Sequence, residues 1–253
     1  MKKNFEMNMS EGKILGKLII YSIPLICTNV LQLSFNAADV AVLGMFVSDD
    51  AVAEVGATGA LINLIIGLFV GLSVGANVLV ARFAGEQNMD SSHKTVSTSV
   101  IVSLIAGLFL AFIGFFFAET FLEWTNCDPE VIGMATKYLK IYFIGMPIML
   151  LYNFCASILR AVGDTLRPLI FLVIGGLVNV GLNIFFVAVL KKDVEGVAIA
   201  TVASQAISAV LSIIVLLKGN GYARLDMKKF RVYFPELKEM MKIGFPAGLQ
   251  GCV

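Results

Sequence analysis

The sequence predicts an all-α membrane protein, a bundle of six transmembrane helices followed by the start of a seventh. The 253 residues are 58% hydrophobic and 15% charged, with a mean hydropathy of +0.88, which is too apolar for one soluble core of this size. Six apolar segments, separated by short polar stretches, are each long enough to cross a hydrocarbon layer of about 30 Å. A net charge of +1 indicates no nucleic-acid partner.

The first segment, Lys17 to Phe46, contains one proline, Pro24, and one acidic residue, Asp39. An intramembrane aspartate costs roughly 2.5–3.5 kcal/mol on insertion scales, so it normally faces a bundle interior or a wet cavity. Alternatively, Asp39 could lie at the headgroup level, although the apolar run continues beyond it to Val47. Spacings of four, four and three residues place four polar side chains on one helix face: Thr28, Gln32, Asn36 and Asp39.

The second and third segments, Ala51 to Phe83 and Val96 to Leu122, flank the polar stretch Gly85 to Lys94. This stretch contains the single histidine, His93, which is expected to be a solvent-exposed loop residue. Small residues let membrane helices approach closely, so the second helix is predicted to pack tightly on a neighbour. Its small or polar positions recur every three or four residues: Gly56, Ala60, Asn63, Gly67, Gly71 and Gly75.

The fourth segment, Val131 to Leu159, carries Asn153 and ends before a turn at the membrane surface, Ser157 to Pro168. The fifth segment, Leu169 to Leu190, and the sixth, Val197 to Leu217, each have a polar face, which either lines a cavity or bonds to neighbouring helices. On the fifth helix this face holds Gly175, Asn179 and Asn183; on the sixth it holds Thr201, Ser204, Gln205, Ser208 and Ser212.

Three parts are expected along the chain: a six-helix lobe at residues 1–217, a basic linker at 218–241 and the start of a second repeat at 242–253. Pro246 follows Lys242 much as Pro24 follows Lys17, so helix seven is expected to open a second copy of helix one. The chain is therefore expected to be the first half of a larger, truncated or split protein.

Lysines and arginines are concentrated at the N-terminus, near the connections that follow the second and the fourth apolar segments, and in the linker. By the positive-inside rule, the N-terminus and the linker are predicted to be cytoplasmic in a multi-pass protein of the cell membrane. Membrane lipid is accordingly one expected partner.

Enzymatic chemistry is not indicated. One histidine and four scattered cysteines give no zinc spacing. An intramembrane hydrolase would need a nucleophile with a base or a second deep aspartate, but Asp39 is the only acid well inside a predicted span. One carboxylate among amides and hydroxyls suits Na⁺ binding or a proton relay, since these are hard oxygen ligands. No cofactor is expected beyond such a coupling ion.

Five motifs lie along the chain in a characteristic order and spacing. They are IPLICTNVLQLSFNAADVAVLG from Ile23, GLSVGANVLVARFAGEQN from Gly71, ILRAVGDTLRP from Ile158, NVGLN from Asn179 and GVAIATVASQ from Gly196. Together they resemble the multidrug and toxic compound extrusion (MATE) transporters of bacterial type. The resemblance implies two six-helix lobes, of which this chain is similar to the N-terminal one. It also implies export of cationic or amphipathic organic compounds in exchange for Na⁺ or H⁺, and a C-terminal lobe as partner.

The resemblance also implies roles for individual residues. Asp39 matches the acid that binds the coupling cation, Na⁺ or H⁺, and Pro24 matches the proline at which the first helix bends. Family members that relay protons often have an aspartate where this chain has Asn183, so a two-carboxylate relay is not expected. With Asn179, Asn183 and Thr201, Asp39 would form a cage for a monovalent cation. The expected substrate-cavity residues are Gln32, Asn36 and Asn153.

Two alternatives stay open. A lipid-linked oligosaccharide flippase of the same superfamily would have similar helices and repeats, but its cavity should carry arginines or lysines for a pyrophosphate, and none lies mid-span. A non-transporting membrane fragment is the other alternative, because alternating access needs two lobes that move against each other.

Overall fold

The computed structural model describes residues 14–46, 49–124 and 132–251. Residues 1–13 of the predicted lobe and the last two residues of the predicted helix-seven segment lie outside these ranges. The main helices are α1 (Ile14–Phe46), α2 (Asp49–Gly85), α3 (Met89–Trp124), α4 (Ile132–Ile144), α5 (Met146–Ala161), α6 (Leu166–Ile184), α7 (Val194–Lys218) and α8 (Phe234–Gly251). A π-helical turn, Phe185–Val189, continues α6, and a short 3₁₀ turn, Met227–Lys229, lies in the linker.

The predicted membrane fold is confirmed. Among the described residues, five helices are long and apolar enough to cross a membrane: α1, the later part of α2, α3, α6 with its π-helical turn, and α7. Helices α4 and α5 are bent by 49° at their junction and are together long and apolar enough to count as a sixth candidate span. Large apolar side chains of α3 point outward, with Leu108, Phe112 and Phe116 each more than half exposed, as expected for a helix that faces lipid.

The fourth predicted segment is two helices rather than one. The break lies at Gly145, and Pro147 occupies the first turn of α5. Proline has no backbone N–H and is favoured in the first turn of a helix, whereas inside a helix it removes a hydrogen bond. The sequence therefore ends one helix and starts the next at this point.

Helix α8 packs along α2 by direct backbone contact. A Cβ atom added to Gly71 would lie 2.0 Å from the Gly248 Cα, and one added to Gly75 would lie 2.3 Å from the Met240 carbonyl oxygen. This is the close approach that the small residues of the second segment predict. Helix α8 begins at Phe234 rather than at Lys242, because Pro235 in its first turn favours a helix start there.

The linker segment, residues 219–233, lies against the first turns of α3. Side chains of α3 bond to linker backbone: Ser92 Oγ donates to the Tyr222 carbonyl at 2.8 Å, and Ser97 Oγ donates to the Lys229 carbonyl at 2.9 Å. In the other direction, the Tyr233 N–H donates to Thr98 Oγ1 at 3.1 Å. Ser92, Ser97 and Thr98 are each 0% exposed, so these hydroxyl side chains are completely buried where the linker segment lies on α3.

His93 is not the solvent-exposed loop residue that the sequence suggested. Helix α3 begins at Met89, so His93 is helical, and it is only 8% exposed. Its Nε2 lies 3.1 Å from the Gly221 carbonyl oxygen of the linker segment. The polar residues before Val96 therefore form a docking face for the linker rather than a loop.

Candidate functional site

A cavity of about 300 Å³ lies among the helices, with α1, α6 and α7 forming its polar side. Its wall combines carboxylate, amide and hydroxyl groups with the apolar side chains of Phe35, Tyr142 and Met149. The cavity-lining residues in the described ranges include no lysine, arginine or histidine. Six of the seven polar residues that the sequence singled out line this cavity: Gln32, Asn36, Asp39, Asn153, Asn179 and Thr201. The seventh, Asn183, is buried behind the wall and is not among the lining residues.

Asp39 of α1 belongs to a ring of four polar side chains in close contact. Asn183 Nδ2 donates to Asp39 Oδ1 at 2.5 Å and to Asn179 Oδ1 at 3.2 Å. Asn179 Nδ2 donates to Thr201 Oγ1 at 3.3 Å. Thr201 Oγ1 in turn lies 3.5 Å from Asp39 Oδ2, which closes the ring.

The geometry of Thr201 leaves two oxygens facing each other. Its hydroxyl has one proton, and Oγ1 lies 3.0 Å from the Val197 carbonyl oxygen but 3.5 Å from Asp39 Oδ2. The shorter contact takes the proton, since hydroxyl hydrogen bonds weaken as they lengthen. This leaves a lone pair of Thr201 Oγ1 next to Asp39 Oδ2, and hydroxyl and carboxylate oxygens are ligands suited to a hard cation.

Two further oxygens in this region are unpaired. Asn183 Oδ1 and Gln205 Oε1 are buried and have no hydrogen-bond partner among the described residues. A buried hydrogen-bond acceptor without a partner lowers the stability of the fold by roughly 1–3 kcal/mol, so such atoms are uncommon in a well-packed core. Together with the Asp39 carboxylate, which lacks a basic neighbour in the cavity wall, they make this side of the cavity electron-rich.

Spacing along each helix and packing between the helices bring these groups together. Asn179 and Asn183 are four residues apart on α6 and share the face that packs on α1 and α7. Asn153 of α5 reaches the same cavity, and its Nδ2 donates to the Met149 carbonyl of its own helix at 2.9 Å. The Asp39 group and the three expected cavity residues thus meet in one place.

Two residues of α1 lie away from the cavity wall. Thr28, the first member of the polar face, is buried, and its hydroxyl donates to the Pro24 carbonyl at 2.8 Å. Pro24 itself lies inside α1, where a proline removes one backbone hydrogen bond. Its role as the bending point stays a prediction.

The aromatic part of the cavity wall was not evident from the sequence. Phe35 lies four residues before Asp39, so helical spacing alone places both on one face of α1. Tyr142 stacks on Tyr138, with ring centroids 6.0 Å apart. Gln205 belonged to a polar face but not to the predicted cavity. The only signal for Phe35 was its spacing from Asp39, and apolar residues at such spacing are ordinary in a membrane helix.

Comparisons with known proteins agree on one family. The family model described as MatE matches residues 24–185. The chain is 27% identical over 247 residues to "Probable multidrug resistance protein YpnP" of Bacillus subtilis, covering 96% of this chain and 54% of that protein. It is 25% identical over 253 residues to "Multidrug export protein MepA" of Staphylococcus haemolyticus, covering 98% and 55%.

Solved structures give the same result. "Crystal structure of MATE in the bent conformation" superposes with a TM-score of 0.86 at 25% identity, over 92% of this chain and 52% of that one. "Outward-facing conformation of a multidrug resistance MATE family transporter of the MOP superfamily" also gives 0.86 at 25% identity, over 93% and 52%. The chain thus spans about half the length of the relatives it matches, which is the extent of one six-helix lobe. It is a multi-pass membrane protein that belongs to the MATE family of transporters.

Proposed function

We propose that this chain forms the N-terminal lobe of a secondary active multidrug efflux transporter. The complete protein exports cationic or amphipathic organic compounds by antiport with Na⁺ or H⁺. The observation that carries the proposal is the Asp39 carboxylate, set in a cavity wall of amides, hydroxyls and aromatic rings whose described residues include no basic side chain. The names of the relatives, "multidrug resistance protein" and "multidrug export protein", support it.

Asp39 is the point at which coupling ion and substrate compete. A carboxylate taken out of water is costly unless it is paired, so a cation beside it is strongly favoured. Oxygens of four residues could hold a Na⁺ ion: Asp39, Thr201, Asn179 and Asn183, whose Oδ1 has no hydrogen-bond partner among the described residues. A proton on Asp39 would neutralise the same charge. Either event removes the attraction for an organic cation in the cavity and favours its release.

The cavity fits small drug-like compounds. Its volume of about 300 Å³ lies at the lower end of the range for ligand pockets, and it combines apolar walls with a few polar groups. Phe35 and Tyr142 line the cavity, and the faces of aromatic rings attract organic cations. A flippase for a pyrophosphate-linked lipid would need basic residues instead, and the described lining includes none.

The distribution of lysines and arginines supports an orientation of the protein in the membrane. With the N-terminus and the linker in the cytoplasm, most lysines and arginines lie on the inner side of the cell membrane. The partner for transport is a C-terminal six-helix lobe, which would close the other side of the cavity. Alternating access then arises from movement of the two lobes about this shared cavity.

The test is the change Asp39→Asn in the full-length protein, which removes the charge and keeps the shape. We expect drug binding to lose its dependence on Na⁺ and pH, each titrated with the other held constant, and efflux in cells to fall to background. Asp90→Asn is the matched control, because Asp90 is a half-exposed carboxylate paired with Lys94 and Lys229 outside the cavity. Cells that keep full drug resistance with Asp39→Asn would disprove the proposal.

A further inference from the structure

The ring of Phe35 packs directly against the backbone of α6 at Gly176, which has no side chain. A Cβ atom added to Gly176 would lie 1.9 Å from Phe35 Cζ, 2.0 Å from Cε2 and 2.5 Å from Cε1. Carbon atoms in contact are separated by about 3.5–4.0 Å, so only glycine leaves room for the ring at this position. Gly176 therefore forms a seat for the tip of the Phe35 ring.

This seat lies in the wall of the cavity. Phe35 and Gly176 both line it, Asp39 lies one helical turn beyond Phe35, and Asn179 lies one turn beyond Gly176. A compound bound next to the Asp39 carboxylate would therefore touch the Phe35 ring. The position of the ring determines how much space is left beside that carboxylate.

We propose that Gly176, by seating the Phe35 ring, sets the upper size of the organic cation that the cavity admits. The inference rests on the proposed function and adds a size-determining pair of residues to it. Phe35 contacts the substrate, whereas Gly176 is a positioning residue that acts through Phe35.

A methyl group at position 176 would move the ring rather than the helix. The atoms that it would meet are the far end of a flexible side chain, so the ring tip would shift by roughly 1.5 Å to restore normal contact. The free space next to the ring is the cavity that it lines. In a cavity of only about 300 Å³, a displaced ring takes room that a bulky substrate needs and a small one does not.

The neighbouring glycine has a different contact. A Cβ atom added to Gly175 would lie 2.3 Å from Ser208 Oγ of α7, and this hydroxyl already donates to the Phe171 carbonyl at 3.0 Å. A change there would disturb the packing of α6 on α7, so it is not used in the test. Gly181 is the matched control, since it lies on the same helix and a Cβ atom there meets nothing within 4 Å.

The experiment measures binding of two cations of different size, tetramethylammonium and tetraphenylphosphonium, to the purified full-length protein. With Gly176→Ala, we expect the affinity for tetraphenylphosphonium to fall by about tenfold or more. The affinity for tetramethylammonium should stay within about twofold, and Gly181→Ala should leave both within about twofold.

A double mutant separates size selection from damage to the fold. With Phe35→Ala, the ring is gone, so the further change Gly176→Ala should no longer weaken tetraphenylphosphonium binding. Phe35→Ala alone should shift selectivity toward the larger cation, and this expectation holds even if Gly176→Ala folds poorly. An equal loss for both cations, or a loss that persists in the double mutant, would overturn the inference.

The outcome also distinguishes the inference from the proposed function. Wild-type protein that binds neither cation, or binding that Asp39→Asn does not alter, would overturn the proposed function and the inference with it. Cation binding that depends on Asp39 but is indifferent to Phe35 and Gly176 would overturn the size-determining pair alone.

Discussion

Two polar regions lie within this bundle, and their side chains use different kinds of partner. At the start of α3, Ser92, Ser97 and Thr98 bond to backbone groups of the linker segment. At the cavity wall, Asp39 bonds to the side chain of Asn183, which lies behind the wall and whose Oδ1 has no partner among the described residues. Both regions are rich in hydroxyls and amides, so composition does not separate them.

The difference indicates which region can change its bonds. A buried backbone group must keep a partner, so the α3 hydroxyls cannot leave the linker without exposing or orphaning its peptide groups. Side chains that bond to one another can rotate and exchange partners while the helices stay intact. We therefore expect the α3 region to have a structural role and the cavity to be the region that exchanges partners, and three predictions test this division.

The largest effect is expected from the linker contact. The combined changes Ser92→Ala, Ser97→Ala and Thr98→Val remove side-chain partners of three stretches of linker backbone. Each lost bond costs about 1 kcal/mol, so hydrogen exchange at the amides of Arg231 and Tyr233 should speed up by about 100-fold. Those amides donate to Ser97 Oγ and Thr98 Oγ1 in the wild type. Unchanged exchange at both amides would contradict the docked linker.

An intermediate effect is expected from the same type of change made in the cavity. Thr201→Val keeps the shape of the side chain but removes the oxygen next to Asp39 Oδ2. We expect the affinity for the coupling cation to fall about tenfold, measured by the Na⁺ or pH dependence of drug binding. Thr98→Val is the matched control and should leave this affinity within about twofold. If the two variants behave alike, the division between the regions is wrong.

The smallest effect is expected at the far end of the α7 polar face. Ser212 is fully buried, but its hydroxyl donates to the Ser208 carbonyl of its own helix at 2.8 Å and does not line the cavity. Ser212→Ala should change the unfolding free energy by less than about 1 kcal/mol. Cation and drug affinities should stay within about twofold. A larger loss of affinity would extend the functional region along α7.

The sequence predicted the parts of the fold that depend on one helix at a time. Hydropathy located the spans, and a spacing of four residues placed Asn179 and Asn183 on one face of α6. Small residues at Gly71 and Gly75 indicated a close helix neighbour, and α8 is that neighbour. The structure also brings the predicted residues around Asp39 together. The polar face of each helix avoids lipid, so the polar faces of several helices turn toward the same bundle interior.

What the sequence did not show depends on pairs of distant residues. Periodicity describes the faces of a helix but not what covers them, so the hydroxyls of α3 gave no sign of their linker partners. Phe35 and Gly176 are ordinary residues in membrane helices, and their contact exists only after α1 has packed on α6. The start of α8 was hidden because its first turns carry Glu236, Lys238 and Glu239 and therefore resemble a polar linker.

The docking of the linker on α3 has a consequence for how the protein is made. The bonded residues are separated by 128 to 135 positions along the chain. At about 5–20 residues per second, the ribosome needs roughly 6–27 s to produce the linker after the α3 residues have been made. During that time the serines and threonines at the start of α3 have no linker to bind and must be hydrated at the membrane surface. The start of α3 is therefore among the last parts of this lobe to reach its final contacts.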